Sequence, residues 1–371
     1  MKNEIAILHY SYPPVIGGVE FIMEGHARVL ARNGYSVKII SGAGASKVNN
    51  VDVRIIENFS ADSPITKTVQ KELLAGEVTD NFKTLKTQLK TDIIKALEDI
   101  EVCFIHNVLT MHFNMALTAA LHEVIDEFHS SKKFYAWCHD ASLNQQHYSL
   151  PQARTYPWDL LGTFNKNSEY IAISGLRQTE LSKLFKVEPG DISVVPDGID
   201  VQSFLGIKDI VWDIAAELDL FNQELVMFFP SRILRRKNYE LAIKITAGIK
   251  KIMPKCKLLF TGPPDPHNPA AAQYLKELRL LIKELDLEQE AVFIHDLKEK
   301  YQEKFKIGYI ELQNLYSLSD ILLLTSSQEG FGLPMLEAAA KRLPIACSDI
   351  PPCLEVTDKN ALIFGLEDDP E

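Results

Sequence analysis

The sequence predicts an α/β protein: two doubly wound parallel sheets in tandem, facing a deep cleft. Three observations carry that expectation. Short apolar runs of strand length alternate with helical patterns almost from end to end, which is the rhythm of βαβ units. The alternation pauses once, near residue 205, at "PDGIDVQSFLGIKDIVWDIAAELDLFNQE", and then restarts. At 371 residues, 46% hydrophobic and 24% charged, the chain is long enough for two separate cores.

Residues 5–10 are an apolar run and the opening strand. The helix after it carries Val19, Ile22, Met23, His26, Ala27, Leu30 and Ala31 on one stripe and stops at Asn33-Gly34, where glycine suits a helix end. Strands at 36–40, 51–56, 102–106, 134–138, 170–174 and 192–195 complete a first domain, residues 1–205. Pro196-Asp197-Gly198 is turn chemistry, and the residues beyond it have no strand period, so the boundary is set there. The second domain, residues 206–371, has strands at 225–229, 257–261, 292–295, 321–324 and 344–347.

Residues 63–98 are mostly helical and polar, and Phe82, Leu85, Leu89, Ile93 and Leu97 recur with lysines between them. A basic amphipathic helix of this kind could touch an anionic membrane surface, which would make a peripheral membrane contact. A solvated helix packed on the sheet is the favoured reading, because Asp80, Asp92, Glu98 and Asp99 dilute the charge.

Composition sets further bounds. The five cysteines, at 103, 138, 256, 347 and 353, are an odd number without Cys-x-x-Cys spacing, and they sit mostly in apolar runs. That usage fits a reducing, cytoplasmic compartment. No apolar stretch approaches about 18 residues, so neither a signal peptide nor a membrane-spanning helix is expected. A formal net charge of −11 argues against general nucleic-acid binding.

Four groups of residues sit where strands hand over to helices, the positions at which such sheets bind ligands. Gly17-Gly18 precede the first helix, so bare backbone could approach an anion at its N-terminus. Arg232 and Lys237 come after the strand at 225–229, and two fixed cations there would neutralise a diphosphate without a metal. Glu329 and Glu337 flank Gly330-Phe331-Gly332-Leu333-Pro334. A carboxylate can accept from vicinal hydroxyls, so Glu337 suits a ribose diol and Glu329 the hydroxyls of a sugar, while the backbone N–H groups of the turn suit phosphate or a hexose. His139 closes the strand at 134–138 with Asp140 beside it, and His9 and His106 close neighbouring strands. Their spacing is not that of a metal site, so no metal is assigned, and a neutral His139 bonded to a polar substrate is preferred to zinc. No P-loop, Gly-x-Ser-x-Gly or Gly-x-Gly-x-x-Gly occurs at these loops, which argues against P-loop kinases, serine hydrolases and NAD-dependent oxidoreductases.

Assembled, these residues make the chain resemble the retaining glycosyltransferases of family 4, whose fold is GT-B, two Rossmann-like domains. The resemblance runs through "PPVIGGVEFIMEGHARVLARNGYSVKIIS", "PDGID", "SRILRRKN" and "EGFGLPMLE", the last being a specific Glu-x7-Glu match. It implies an acceptor-side first domain and a second domain that holds a nucleotide diphosphate sugar as donor, with no cofactor. By the same resemblance Arg232 and Lys237 meet the diphosphate, Glu329 the sugar and Glu337 the ribose, while Gly18 and His139 approach the diphosphate and the transferred sugar. A hexose would pass to a hydroxyl acceptor with retained configuration and without metal.

Ser231 stands where the family has Gly, and His295-Asp296 lies near the expected base, so base and sugar stay open. The chain ends at "ALIFGLEDDPE", before the helices expected to close the second domain. Loops 42–50 and 141–158 are expected to line the acceptor site without naming the acceptor. A nucleotide-sugar epimerase of the same fold is the alternative within the fold. An NAD-dependent oxidoreductase and a non-enzymatic sugar-binding protein are the alternatives outside the class.

Overall fold

The computed structural model describes residues 4–46, 48–145, 147–148, 150–151, 155–262 and 269–368. The expected acceptor-loop residues 47, 146, 149 and 152–154 lie outside them. The chain divides into two compact units, Met1–Asp200 and Val201–Glu371, each described by itself.

In the first unit the order is β1 (Glu4–Leu8), α1 (Gly18–Arg32), β2 (Ser36–Ser41), β3 (Val51–Ile55), α2 (Pro64–Leu74), α3 (Asp80–Ala96) and β4 (Val102–His106). Then come α4 (Met115–Phe128), β5 (Lys133–Cys138), β6 (Glu169–Ala172), α5 (Gly175–Phe185) and β7 (Ile192–Val194). The sheet runs β3-β2-β1-β4-β5-β6-β7, and every pairing in it is parallel. Its strands read as near-continuous apolar runs because both faces are covered. Met23 and Ala27 of α1 pack with Ile7, Val37 and Ile39 on one face, and α2 to α5 build the larger core on the other.

Local chemistry sets the element ends. The strand expected at 170–174 stops at Ala172, because Ser174 caps α5 by accepting from Arg177 N at 3.1 Å. Thr79 caps α3 in the same way, at 3.3 Å from Phe82 N. The apolar stripe of α3, Phe82, Leu85, Leu89 and Ile93, is buried, and the helix packs chiefly on α4 rather than on the sheet. Lys86 pairs with Glu123 at 2.5 Å and Lys90 with Glu127 at 2.9 Å. The apolar stripe of this helix is therefore turned into the protein. Among the described residues no helix is long and apolar enough to cross a membrane.

The second unit runs α6 (Val201–Phe204), α7 (Asp209–Glu217), β8 (Leu225–Phe229), α8 (Tyr239–Ile252), β9 (Cys256–Phe260), α9 (Pro269–Glu284) and β10 (Ala291–Phe293). It continues with α10 (Lys298–Tyr301), α11 (Tyr309–Ser317), β11 (Ile321–Leu324), α12 (Leu333–Ala340), β12 (Ile345–Ser348), α13 (Pro351–Thr357) and β13 (Leu362–Phe364). Its parallel sheet is ordered β10-β9-β8-β11-β12-β13. Two differences from expectation stand out. β10 ends at Phe293, and His295 and Asp296 enter a 3-10 turn at Ile294–Leu297. β13, unforeseen, pairs with β12 although Leu362 is 65% exposed, so no buried apolar run marks it.

Each sheet has one point where strand order reverses, between β1 and β4 in the first unit and between β8 and β11 in the second. Ligands of doubly wound sheets bind outside the carboxyl ends of the strands at such points.

Candidate functional site

At the second unit's switch point the loop after β8 carries Ser231 and Arg232, then a 3-10 turn, Arg235–Lys237, that leads into α8. Gly262, just past β9, presses against it. A Cβ there would fall 1.7 Å from Ser231 O and 2.5 Å from Arg232 Cα. Tyr239 Oη donates to the same carbonyl at 2.7 Å. These two contacts fix the backbone from which Arg232 reaches into solvent.

Lys237 is buried, and its ammonium donates to Glu329 Oε1 on the loop after β11. Ser326 Oγ donates to the same oxygen at 2.7 Å, while Arg236 Nη1 stands 3.4 Å from Oε2 and 3.0 Å from Gln328 O. The backbones are stitched too. Ser327 N donates to Arg236 O at 2.8 Å, and Thr325 Oγ1 donates to Lys237 O at 3.0 Å and to Asn238 O at 2.7 Å. Burial alone would push the Glu329 carboxyl up. The bonds from Lys237 and Ser326, with the charges of Lys237 and Arg236, outweigh it and hold the group below the usual carboxylate range. A carboxylate and two cations thus share one loop junction, an arrangement able to hold hydroxyls and phosphate side by side.

The turn from Glu329 into α12 depends on glycine. Gly332 has φ +93°, and a Cβ there would meet Met335 Cε at 2.1 Å. It is the N-cap residue and supplies no side-chain cap; Pro334 has no N–H and Met335 N donates to Gly332 O at 2.9 Å, so the first turn of α12 offers a ligand the N–H of Leu333, next to those of the glycine turn. Gly330 faces open space, and Phe331 and Leu333 are exposed. Glu337 lies one turn into α12, where Tyr316 Oη donates to its Oε2 at 2.7 Å. Burial first, and then Glu337 itself, push that phenol well up, so it stays a donor.

The first unit's switch point is built differently. Gly17, the N-cap of α1, does not offer open backbone as expected. The Glu20 carboxylate sits against it, with Oε2 2.0 Å from where a Cβ would be. Glu20 also accepts from Ser11 Oγ at 2.6 Å, so the negative charge expected of a ligand is already supplied by the chain. Gly18 has nothing within 4 Å of its Cβ position and stays open.

His139, at the end of β5, donates its backbone N–H to Asn107 Oδ1 at 2.7 Å. Its Nδ1 lies 3.0 Å from Asp197 Oδ2, and its Nε2 lies 3.0 Å from His106 Nδ1. Both ring nitrogens are thus engaged within the protein, where a substrate bond was expected. His106 stacks on Trp137 with 5.5 Å between centroids, and its carbonyl meets His9 Nδ1 at 2.8 Å. Burial pushes His9 down to about 4 against the raising effects of the His106 carbonyl and Glu20, and His106 is held well below its ordinary value by burial and then by His139, His26 and His9. Nδ1 of His9, Nδ1 of His106 and both ring nitrogens of His139 are thus engaged within the protein.

Sequence reasoning missed Asp197, which reads as a turn residue in Pro196-Asp197-Gly198, and Tyr316, one aromatic among the apolar positions of a helix. It also missed Ser326, Gly262 and the part played by Arg236. Only the Gly-Phe-Gly turn gave a local signal, because positive φ needs glycine.

Comparison with known proteins gives the chain its relatives. The family model described as Glycosyl transferases group 1 matches residues 211–366, a span that contains Arg232, Lys237, Glu329 and Glu337. Mannosylglucosylglycerate synthase of Thermotoga maritima is 25% identical over 368 residues, 92% of this chain and 79% of that protein. Mannosylglucosylglycerate synthase of Petrotoga mobilis is 26% identical over 287 residues, 72% of this chain and 63% of that protein. Alpha-1,3/1,6-mannosyltransferase ALG2 of Saccharomyces cerevisiae is 26% identical over 234 residues, 58% of this chain and 46% of its own length. The matched stretch is thus less than two thirds of the length of the last two.

Proposed function

We propose that this chain, a glycosyltransferase with the paired parallel-sheet units of the GT-B fold, is a retaining enzyme of family 4 that moves a mannosyl residue. The donor is a nucleotide diphosphate sugar, the acceptor a hydroxyl compound, and no metal or cofactor takes part. The observation that carries this reading is the junction at the second switch point, where buried Lys237 and exposed Arg236 share the Glu329 carboxylate, beside the glycine turn that leads into α12 without a side-chain cap. The hexose is named from the relatives, whose own names are those of mannosyl-transferring enzymes.

In this reading Arg232 and Lys237 receive the charge that builds on the departing β-phosphate, helped by the N–H groups of Gly330, Phe331, Gly332 and Leu333. Glu329 orients sugar hydroxyls. Glu337, with Oε2 held by Tyr316, keeps Oε1 for the ribose diol. Gly18 of the first unit leaves room for the diphosphate, and His139 meets the transferred sugar. The bond from the anomeric carbon to the phosphate oxygen breaks while the acceptor oxygen bonds to that carbon on the same face. The acceptor proton passes to the leaving phosphate, so no pair of carboxylates flanking the bond is required, unlike in glycoside hydrolysis. Five buried, unpaired cysteines suit a reducing cytoplasmic setting.

The test is an assay of glucose and mannose nucleotides of uridine, guanosine, adenosine and thymidine against glycosylglycerate and mannoside acceptors, with EDTA and with magnesium. Free nucleoside diphosphate and an α-mannoside formed in EDTA are expected. Product with inverted configuration, or turnover that demands magnesium, would overturn the retaining, metal-free reading. Epimerised sugar without transfer would favour the epimerase instead.

A further inference from the structure

The contacts of His139 extend into a single hydrogen-bonded line. Asp197 Oδ2 lies at one ring nitrogen and His106 Nδ1 at the other, both at 3.0 Å. The three side chains come from β4, β5 and the turn after β7, all in the first unit. A carboxylate can only accept, so the hydrogen of a neutral His139 stands on Nδ1. Its Nε2 is then a bare acceptor, and His106 donates to it from Nδ1. That leaves His106 Nε2 as a lone pair, buried and without a protein partner among the described residues. Beside it Nδ1 of His26, Nε1 of Trp137 and Oδ1 of Asp197 are also buried and unpartnered by protein. The His26 ring stands 4.6 Å from Trp137 and 5.4 Å from His106, centroid to centroid. With His139 in its neutral form, one carboxylate therefore sets the direction of every hydrogen in the line.

We propose that Asp197 is a positioning residue for the transfer: it pins His139 as the Nδ1–H form and so presents Nε2 as an acceptor, which His106 occupies until a hydroxyl of the transferred sugar replaces it. The Asp197 contact is the pivot that stays. This rests on the reading that His139 meets the transferred sugar. The groups around the line that carry or could carry charge are His9, His26, His106, Glu20 and Asp197. Glu20 stands 3.9 Å from His9 Nε2, on the side of His9 away from the His106 carbonyl, so Asp197 is the carboxylate in direct contact with His139.

The experiment combines nitrogen-15 histidine NMR of the full chain with steady-state kinetics of wild type, Asp197→Asn and Asp197→Glu. In wild type the His139 hydrogen is expected on Nδ1, with Nε2 shifting when a nucleotide sugar binds. An asparagine amide can donate to Nδ1, so in Asp197→Asn the hydrogen moves to Nε2. There kcat falls about tenfold to a thousandfold, the Kd for nucleoside diphosphate stays within twofold, and Asp197→Glu recovers part of the loss. A wild-type His139 with its hydrogen on Nε2, an unchanged kcat in Asp197→Asn, or an Asp197→Glu no better than Asp197→Asn overturns the proposal. If Asp197→Asn does not fold, the wild-type tautomer decides alone. If wild type turns over no nucleotide sugar, the functional reading falls, while the line itself is still judged by the NMR.

Discussion

The two switch points share a topology and differ in chemistry. In the first unit the carboxyl ends of β1, β4 and β5 hold His9, His106 and His139; His139 is bonded to the carboxylate of Asp197, while a second carboxylate, Glu20, lies near His9 at the N-terminus of α1. In the second, the loops after β8 and β11 hold Lys237, Arg236 and Glu329, and α12 starts from a glycine turn with no side-chain cap. The fold provides the same crevice twice, but side-chain charge decides which crevice suits a diphosphate. Imidazole rings and supplied carboxylates suit a polyol; cations beside a glycine turn suit phosphate.

Removing Lys237 breaks this contrast most severely. Lys237→Ala is expected to lower kcat by two orders of magnitude or more. It also costs about 3 kcal/mol of stability, because Glu329 is left as a buried, half-paired carboxylate. Stopped assays and urea unfolding check the two effects, and near-normal turnover would sink the role.

Acid separates the units next. Burial pushes His9 down to about 4 in the folded chain, against an ordinary 6.5 when unfolded. A depressed value contributes stability that is present above the unfolded value and lost as pH falls toward the folded one. The first unit should therefore begin to weaken below about pH 6.5, and His9→Gln should flatten that slope. Glu329, also depressed, contributes stability that disappears only at lower pH, below the unfolded carboxylate range. Melting temperature against pH for wild type, His9→Gln and Glu329→Gln tests the order.

Smaller effects sharpen the picture. Tyr316→Phe frees Glu337 Oε2 and should raise donor KM several-fold at nearly constant kcat, with about 1 kcal/mol lost in unfolding. A kcat that falls as much as KM rises would place Tyr316 in the chemical step instead. Gly18→Ala, with open space at its Cβ, should change stability by less than about 0.5 kcal/mol. Gly17→Ala must push Glu20 aside and should melt earlier; equal melting of the two variants would contradict the geometry.

Much of the architecture was legible because buried parallel strands are apolar on both faces. The runs at 102–106, 225–229 and 321–324 coincide with strands for that reason. β13 was not legible, since the apolar run that holds it, residues 361–364, is short and largely solvent-facing. At the site, the sequence puts Lys237 and Glu329 on separate loops with separate ligands, and nothing in their spacing announces that they pair across 92 positions of chain. Asp197 was hidden for the opposite reason: an Asp before Gly has a sufficient local explanation as a turn, so its second task leaves no pattern.

The contact between Ser231 and Gly262 has a consequence for inheritance. The two positions act as one unit, since any side chain larger than hydrogen at 262 collides with the backbone at 231. In a library of random variants sorted for folded protein, substitutions at 262 should vanish, while those at 330, which faces open space, should survive. A segment exchanged with a relative should carry both loops or neither.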